Sequence, residues 1–344
     1  MAQRIRIYKP GGWDHLVLDN FECSGPKSDE IKIDVKAAGV NFADVCVRQG
    51  LYSSANEFVG MPITPGFEVA GVVSAIGKEV QGIKIGDRVL AVTFFGGYAS
   101  ELTVKATYVR RLPANMSFVD AAGIPAVFLT SYYAVHWLTR VHPKSVALVH
   151  SVAGGVGLSL TQVLKDLDCK VVGVIGSSHK AQVAADYGVD EIIDKSKADL
   201  WSSVKVISPS GFDLIFDPNG FSTVKQSYAH LAACGFLYVY GFQSMLSKNK
   251  GRQSLLVLAR DYLRTPRFNP FDMVKRNRSV IGFNVSYLFD RLDIVEGGLT
   301  FIMDKFEDKA FRPLPVTTYA FKDVAKAHRD IESGKTTGKL ILTF

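Results

Sequence analysis

The stretch 145–167, SVALVHSVAGGVGLSLTQVLKDL, constrains this chain more than any other. An apolar run, Val146-Ala147-Leu148-Val149, has the length and composition of a buried strand. It breaks into Ser151-Val152-Ala153-Gly154-Gly155-Val156-Gly157. Apolar residues then return at helical spacing at Val156, Leu160, Val163, Leu164 and Leu167. The order strand, glycine-rich turn, helix lets a backbone loop approach a pyrophosphate, with the helix N-terminus donating N–H groups to it. In the frame G-x-G-x-x-G, Val152 takes the first place and Gly154 and Gly157 the other two, so the glycines alone fit an ordinary strand-to-helix turn as well. The flanking pattern favours the dinucleotide reading: 170–176 reads as the next parallel strand, ending where an adenine ribose would lie.

At 344 residues the chain has room for two domains, and its 47% hydrophobic and 21% charged residues suit a globular protein. No apolar run reaches the roughly 18 residues of a spanning helix. The opening MAQRIRIYKPGG has no apolar signal core, which leads us to expect a cytoplasmic protein. Cys23, Cys46, Cys169 and Cys234 form no C-x-x-C pair, so neither a disulfide frame nor clustered zinc is expected. The net charge of +7 is concentrated. Between 244 and 278 stand Lys248, Lys250, Arg252, Arg260, Arg264, Arg267, Lys275, Arg276 and Arg278 against only Asp261 and Asp272. That excess points to one surface able to meet phosphates or anionic lipid rather than to nucleic acid.

Residues 30–37 alternate, apolar at Ile31, Ile33 and Val35, and predict a strand. Shorter strands are predicted at 4–8, 72–76, 89–91 and 102–104, punctuated by Gly and Pro. They argue for a mostly β domain up to about Pro113. From Ser117 the texture changes. Helical spacing covers 118–133, with Ser117 and Asp120 as N-cap candidates. Strands near 146–149, 171–174, 191–193, 213–217 and 235–240 then alternate with helices, among them 180–187 and 223–231. This predicts a parallel, doubly wound sheet. After a strand at 279–285 come helix 292–306, strand 314–319, helix 324–333 and strand 339–342, which are expected to return to the edge of the first domain.

Taken in order, AAGVNFADVCVRQGLY (37–52), PITPGFEVAGVV (62–73), GDRV (86–89), GGYAS (96–100), ALVHSVAGGVG (147–157) and GKLIL (338–342) resemble the medium-chain dehydrogenase/reductase family. The match is to its zinc-free, zeta-crystallin-like quinone oxidoreductase branch. The segment 240–288, with its basic insertion and GFNVSYL, resembles the VAT-1-like subgroup more than bacterial quinone reductases. The resemblance implies an α/β fold: a GroES-like β-rich catalytic domain (1–123 and 287–344) plus a Rossmann doubly wound parallel-sheet domain (124–286, with the basic insertion at about 244–278). It also implies a homodimer formed through the last Rossmann strands, 235–240 and 279–285.

Zinc members of the family hold the metal with a cysteine and a histidine that match Asn41 and Phe67 here. Neither offers a thiolate or imidazole, and Glu68 alone cannot hold zinc, so no zinc is expected. His136, His142 and His150 read as structural or solvated. The second Rossmann strand ends Ile175-Gly176-Ser177-Ser178-His179-Lys180, with no carboxylate for an NAD ribose. Ser177 and Ser178 can donate hydrogen bonds, and Lys180 matches the lysine that grips a 2′-phosphate in the resembled reductases. Lys195 matches a partner tyrosine. NADPH is therefore the expected cofactor, with Ala153, Gly154, Gly155 and Val156 on the pyrophosphate.

The resemblance places Asn41, Tyr52 and Thr130 in the nicotinamide pocket, and matches Gly241, Phe242, Phe283 and Val285 to loops beside it. The implied reaction is hydride transfer from NADPH to a quinone or to the β carbon of an enone. Asn41 and Tyr52 are the catalytic candidates; for Tyr52, a packed loop aromatic is the competing reading. Asp44 reads as a structural hydrogen-bond partner, and no residue stands out as a general acid. The basic segment 247–278, with apolar Leu255, Leu256, Leu258, Tyr262, Phe268 and Phe271, admits three readings. It is an amphipathic face for anionic membrane, a lid, or a solvated helix and loop. A lipid-handling protein in which NADPH is structural is the alternative function.

Overall fold

The computed structural model describes residues 1–245 and 255–344, and it separates into two compact units. Met1–Thr130 with Val285–Phe344 form the first, and 131–245 with 255–284 the second. In chain order the first unit opens with β1 (Ala2–Arg6), β2 (Val17–Phe21) and β3 (Glu30–Val40). Two short helices follow, α1 (Phe42–Arg48) and α2 (Ser53–Phe58), then β4 (Glu68–Ile76), β5 (Arg88–Val92), β6 (Glu101–Lys105) and β7 (Val109–Arg111). The alternation in β3 buries Ile31, Ile33 and Val35 as its period demands.

The helical pattern over 118–133 is divided into α3 (Phe118–Ala121) and α4 (Pro125–Tyr132), with a π-turn at Tyr133–Trp137. Ser117 caps α3 by accepting from the Asp120 N–H at 3.0 Å. Pro125 has no N–H to extend that helix and instead opens the next one.

The second unit carries β8 (Val146–His150), α5 (Gly155–Asp166), β9 (Lys170–Ile175), α6 (Ala181–Asp186), β10 (Glu191–Asp194), α7 (Leu200–Ile207), β11 (Phe212–Asp217), α8 (Val224–Ala229) and β12 (Leu231–Val239). It continues with α9 (Leu255–Arg264), α10 (Pro270–Arg276) and β13 (Ser279–Gly282). The six strands are parallel, in the order β10-β9-β8-β11-β12-β13. The central strands β8, β9 and β11 are buried on both faces and read as continuous apolar runs, whereas β10, β12 and β13 are partly exposed. Leu148, Val172, Val174, Ile193, Phe212, Ile215 and Leu237 form the core, closed by Val204 of α7 and Val224 of α8. β12 starts four residues earlier than its apolar pattern indicates, and the β11–β12 register shifts between Phe212 and Leu214.

The chain then returns through α11 (Leu292–Glu307), β14 (Val316–Ala320), α12 (Val324–Glu332) and β15 (Lys339–Thr343). β15 lies between β14 and β3 and completes a seven-stranded sheet with β4, β5, β6 and β7, so the expected return to the first domain is found.

Lys248, Lys250 and Arg252 of the basic segment lie outside the described residues, as do the side chains of Leu255 and Leu258. Along α9 and α10, Leu256, Tyr262, Leu263, Phe271 and Val274 are exposed, whereas Phe268 packs on the core. Among the described residues no helix is long and apolar enough to cross a membrane.

Helix α5 can lie on the turn after β8 because residue 157 is glycine. A Cβ there would stand 2.4 Å from the Val152 carbonyl oxygen and 2.5 Å from its Cα. The clash is with backbone, which cannot rotate away. Gly157→Ala is therefore expected to cost about 1–3 kcal/mol, seen as a lower urea midpoint at unchanged slope.

Candidate functional site

In the first unit, the polar residues after β3 form one buried network. Asn41 leads into α1, and its N–H donates to Asp44 Oδ2 at 2.8 Å. Its side-chain Nδ2 donates to Glu68 Oε1 at 2.8 Å. The Lys339 ammonium, from β15, donates to Asn41 Oδ1 at 2.7 Å, to Glu68 Oε1 at 2.7 Å and to the Val40 carbonyl at 3.1 Å. An ammonium has only donors, so the Asn41 atom facing it is the oxygen, and the amide orientation is set. Glu68 Oε2 accepts from the Ala126 N–H at 2.7 Å. The cluster closes against Gly39, where a Cβ would stand 2.3 Å from Glu68 Oε1. Glu68 and Lys339 are 0% and 2% exposed. The Asn41 side chain also accepts from the N3 backbone in a capping box, so its oxygen is engaged twice, while its amide nitrogen carries a second N–H beyond the one given to Glu68.

Asp44 is fully buried and also accepts from the Gly66 N–H at 2.8 Å and the Tyr98 hydroxyl at 3.1 Å. Burial pushes its carboxyl up to about 7 against the pull of those donors. Tyr98 in turn lies 3.2 Å from His328 Nε2, and His328 Nδ1 lies 3.2 Å from Arg48, which pairs with Glu332 at 2.8 Å. Burial first, then the Arg48 charge, holds His328 far below its ordinary pKa, so it is neutral. This arrangement braces α1 against α12.

Tyr52 sits in a different environment. Its ring packs edge-on against Phe67 and Phe95, with centroids 5.6 and 6.2 Å away. The row of rings continues through Phe94 to Phe58 and Phe289, and on to the half-exposed Tyr287. The hydroxyl of Thr130 donates back to the Ala126 carbonyl at 2.7 Å, one turn earlier in α4. Val285 opens a short 3-10 turn, Val285–Leu288.

In the second unit, the predicted cofactor residues all follow the C-terminal ends of parallel strands, where open α/β sheets bind ligands. Ala153 and Gly154 lie between β8 and α5, and Gly155 and Val156 open that helix. Gly154 is the N-cap of that helix and brings no side-chain acceptor, so none competes for the first N–H groups. Gly241 approaches the Pro218 carbonyl so closely that a Cβ would stand 2.7 Å from it. Phe242 is exposed, and Phe283 stacks on Tyr240 at 5.8 Å and meets Tyr133 edge-on at 5.5 Å. Asp217 ends β11 and holds that turn by accepting from the Asn219 N–H and the Thr223 and Ser227 hydroxyls, each at 2.8 Å.

Beyond β9, Ser177 and Lys180 are half-buried and Ser178 is exposed. Lys195, from the end of β10, passes over Gly176, its Cε 3.6 Å from where a Cβ would be. Burial and then the Lys195 charge lower the Lys180 pKa, so the two ammonium groups feel one another. A phosphate beside them would relieve both.

One expectation needs correcting. The strand end carries no carboxylate of its own, but β10 supplies one: Ser178 Oγ donates to Asp194 Oδ2 at 2.5 Å. Asp194 went unnoticed because it lies one strand away. Lys339 went unnoticed too, although a lysine inside the apolar run GKLIL is itself a signal of a buried partner.

Removing Lys339 would leave the Glu68 carboxylate buried without its cation. Lys339→Met is expected to lower stability by about 3–5 kcal/mol in chemical denaturation, and adding Glu68→Gln to recover part of that loss.

Residues 27–144 match the alcohol dehydrogenase GroES-like domain, and residues 187–342 match the zinc-binding dehydrogenase domain. The chain is 34% identical to a synaptic vesicle membrane protein VAT-1 homolog from Danio rerio, over 97% of this chain and 68% of that protein. It is 30% identical to a quinone oxidoreductase from Salmonella typhimurium, over 99% of each. The structure of an Escherichia coli quinone oxidoreductase complexed with NADPH superposes with a TM-score of 0.85 at 28% identity, covering 99% of this chain and all of that one. A zinc ion of the kind the domain description implies does not fit the residues present: Phe67 packs among hydrocarbon rings, and both Glu68 oxygens are engaged. Among the described residues no group of three or more His, Cys, Asp or Glu is placed to hold a metal. With both halves of its fold matched, this chain belongs to the medium-chain dehydrogenase/reductase family, in the branch that holds the VAT-1 homologues and the quinone oxidoreductases.

Proposed function

We propose that the chain is an NADPH-dependent reductase that passes hydride to a quinone or an α,β-unsaturated carbonyl without a metal. The observation that carries this reading is the pair of lysines, Lys180 and Lys195, at the ends of adjacent parallel strands whose neighbour β8 leads into an uncapped helix. Backbone donors for a pyrophosphate and ammonium groups for a 2′-phosphate then share one edge of the sheet. The NADPH-bound relative with the same fold supports it. Bound NADPH would supply the hydride; the chain's own part is binding and positioning. Asn41, with its amide orientation set by Lys339 and Glu68, offers its remaining N–H to an acceptor carbonyl or to a ribose. The rings running from Tyr52 to Tyr287 suit a flat, apolar acceptor. Metal independence is supported by the donor set: Asn41 and Phe67 stand where the family's zinc ligands would be, and both Glu68 oxygens are already bonded.

On this reading the purified protein oxidises NADPH when given phenanthrenequinone. Lys180→Glu replaces an attraction with a repulsion and is expected to weaken NADPH by about tenfold or more in a binding titration, with NADH little changed. Unchanged NADPH affinity in that variant would remove the cofactor assignment.

A second reading has its own support. Exposed Leu256, Tyr262, Leu263, Phe271 and Val274 stand among Arg260, Arg264, Lys275 and Arg276, the composition of a surface that rests on anionic lipid. Under it the chain is a membrane-associated or lipid-handling protein with a mainly structural nucleotide. Co-sedimentation with phosphatidylserine vesicles at low salt, lost as salt is raised, is the expected result; no binding at low salt excludes it. In either case we expect a homodimer, since β13 ends the six-stranded sheet with an edge that a second copy can extend.

A further inference from the structure

The carboxylate at the end of β10 adds to the cofactor reading, and the inference rests on that reading. Strands β9 and β10 run in parallel register with Asp194 opposite Ile175, so the residues after both strands share one edge. Asp194 is held there from two sides. Its Oδ1 accepts from the Ser196 N–H at 2.9 Å and the Ser196 hydroxyl at 2.6 Å, and its Oδ2 accepts from Ser178 at 2.5 Å. The same donors depress its pKa, led by the Ser178 hydroxyl, so it stays ionised.

Two consequences follow for whatever sits between the ends of β9 and β10. First, Ser178 has a single O–H and spends it on Asp194, so toward a 2′-phosphate it presents only lone pairs. Second, the anchored carboxylate faces the same edge as Lys180 and Lys195. A 2′-phosphate is drawn by the two ammonium groups and opposed by the carboxylate. A 2′-hydroxyl gains an anionic acceptor. This is the usual chemistry of an NAD ribose site, with the acid taken from the third strand rather than the second.

We propose that Asp194 is the specificity-determining residue of the adenosine site. It lowers the preference for NADPH and gives the chain a usable affinity for NADH, so both nucleotides bind.

The test is a titration of NADPH, NADH and the fragment 2′,5′-ADP against the full chain, followed by tryptophan fluorescence and calorimetry. Wild type is expected to bind NADH within about tenfold of NADPH. Asp194→Asn keeps the side-chain shape and the acceptor toward Ser196, turns the Ser178 contact into one in which the amide donates, and removes the charge. It is expected to tighten NADPH and 2′,5′-ADP and weaken NADH, moving their affinity ratio by about tenfold. Ser196→Ala, which loosens the anchor at an exposed position, is expected to move the ratio the same way by less. NADPH binding in wild type with an unmoved ratio in a folded Asp194→Asn protein would overturn the role of Asp194 alone. Failure of wild type to bind either nucleotide would overturn the cofactor reading with it.

Discussion

The first unit is closed around the buried Lys339–Glu68 ion pair, beside a second one, Arg48–Glu332. Burying a lysine and a glutamate costs each its hydration, and the cost is recovered only where the remaining donors and acceptors are also satisfied. Here they are. Lys339 gives its three protons to Glu68, Asn41 and the Val40 carbonyl, while Glu68 takes further bonds from Asn41 and the Ala126 N–H. Those groups belong to the ends of β3, β4 and β15 and to the start of α4. The pair therefore welds the closing strand to the middle of the sheet and, in the same act, orients the Asn41 amide. It also explains Gly39, which no larger residue could replace against the Glu68 carboxylate.

The second unit is organised by a different rule. Its central strands are buried on both faces, so polarity collects where the strands end. Asp217 ends β11, His150 ends β8 and Asp194 ends β10; the first two share the Ser227 hydroxyl of α8, and Asp194 accepts from Ser178 beyond β9. These bonds tie strand ends to neighbouring elements, and the first turn of α5 carries no side-chain cap at its N-terminus.

How far the sequence alone reached follows from where each signal lies. The two folds were legible because their periods differ: alternation in β3, unbroken apolar runs in β8, β9 and β11, helical spacing in α5. The helices α1 and α2 were missed because each is under three turns long, and β2 because it is largely exposed and has no buried face to print in the sequence. The glycine turn was readable since a close approach of backbone demands a missing side chain. Pairings across the chain were not. Lys339 finds its partners 271 and 298 residues away, and Asp194 reaches Ser178 from the adjacent strand. Local pattern carries the type of an element; only the fold states which charges meet.

The position of β15 between β14 and β3 has a bearing on how such a chain is made. β3 emerges from the ribosome early, yet its neighbour on one side is synthesised only after the whole second unit. The described strands of the second unit are all synthesised before that moment and are free to pair first. Until β15 arrives, β3 exposes an unpaired edge and Glu68 lacks its counter-ion.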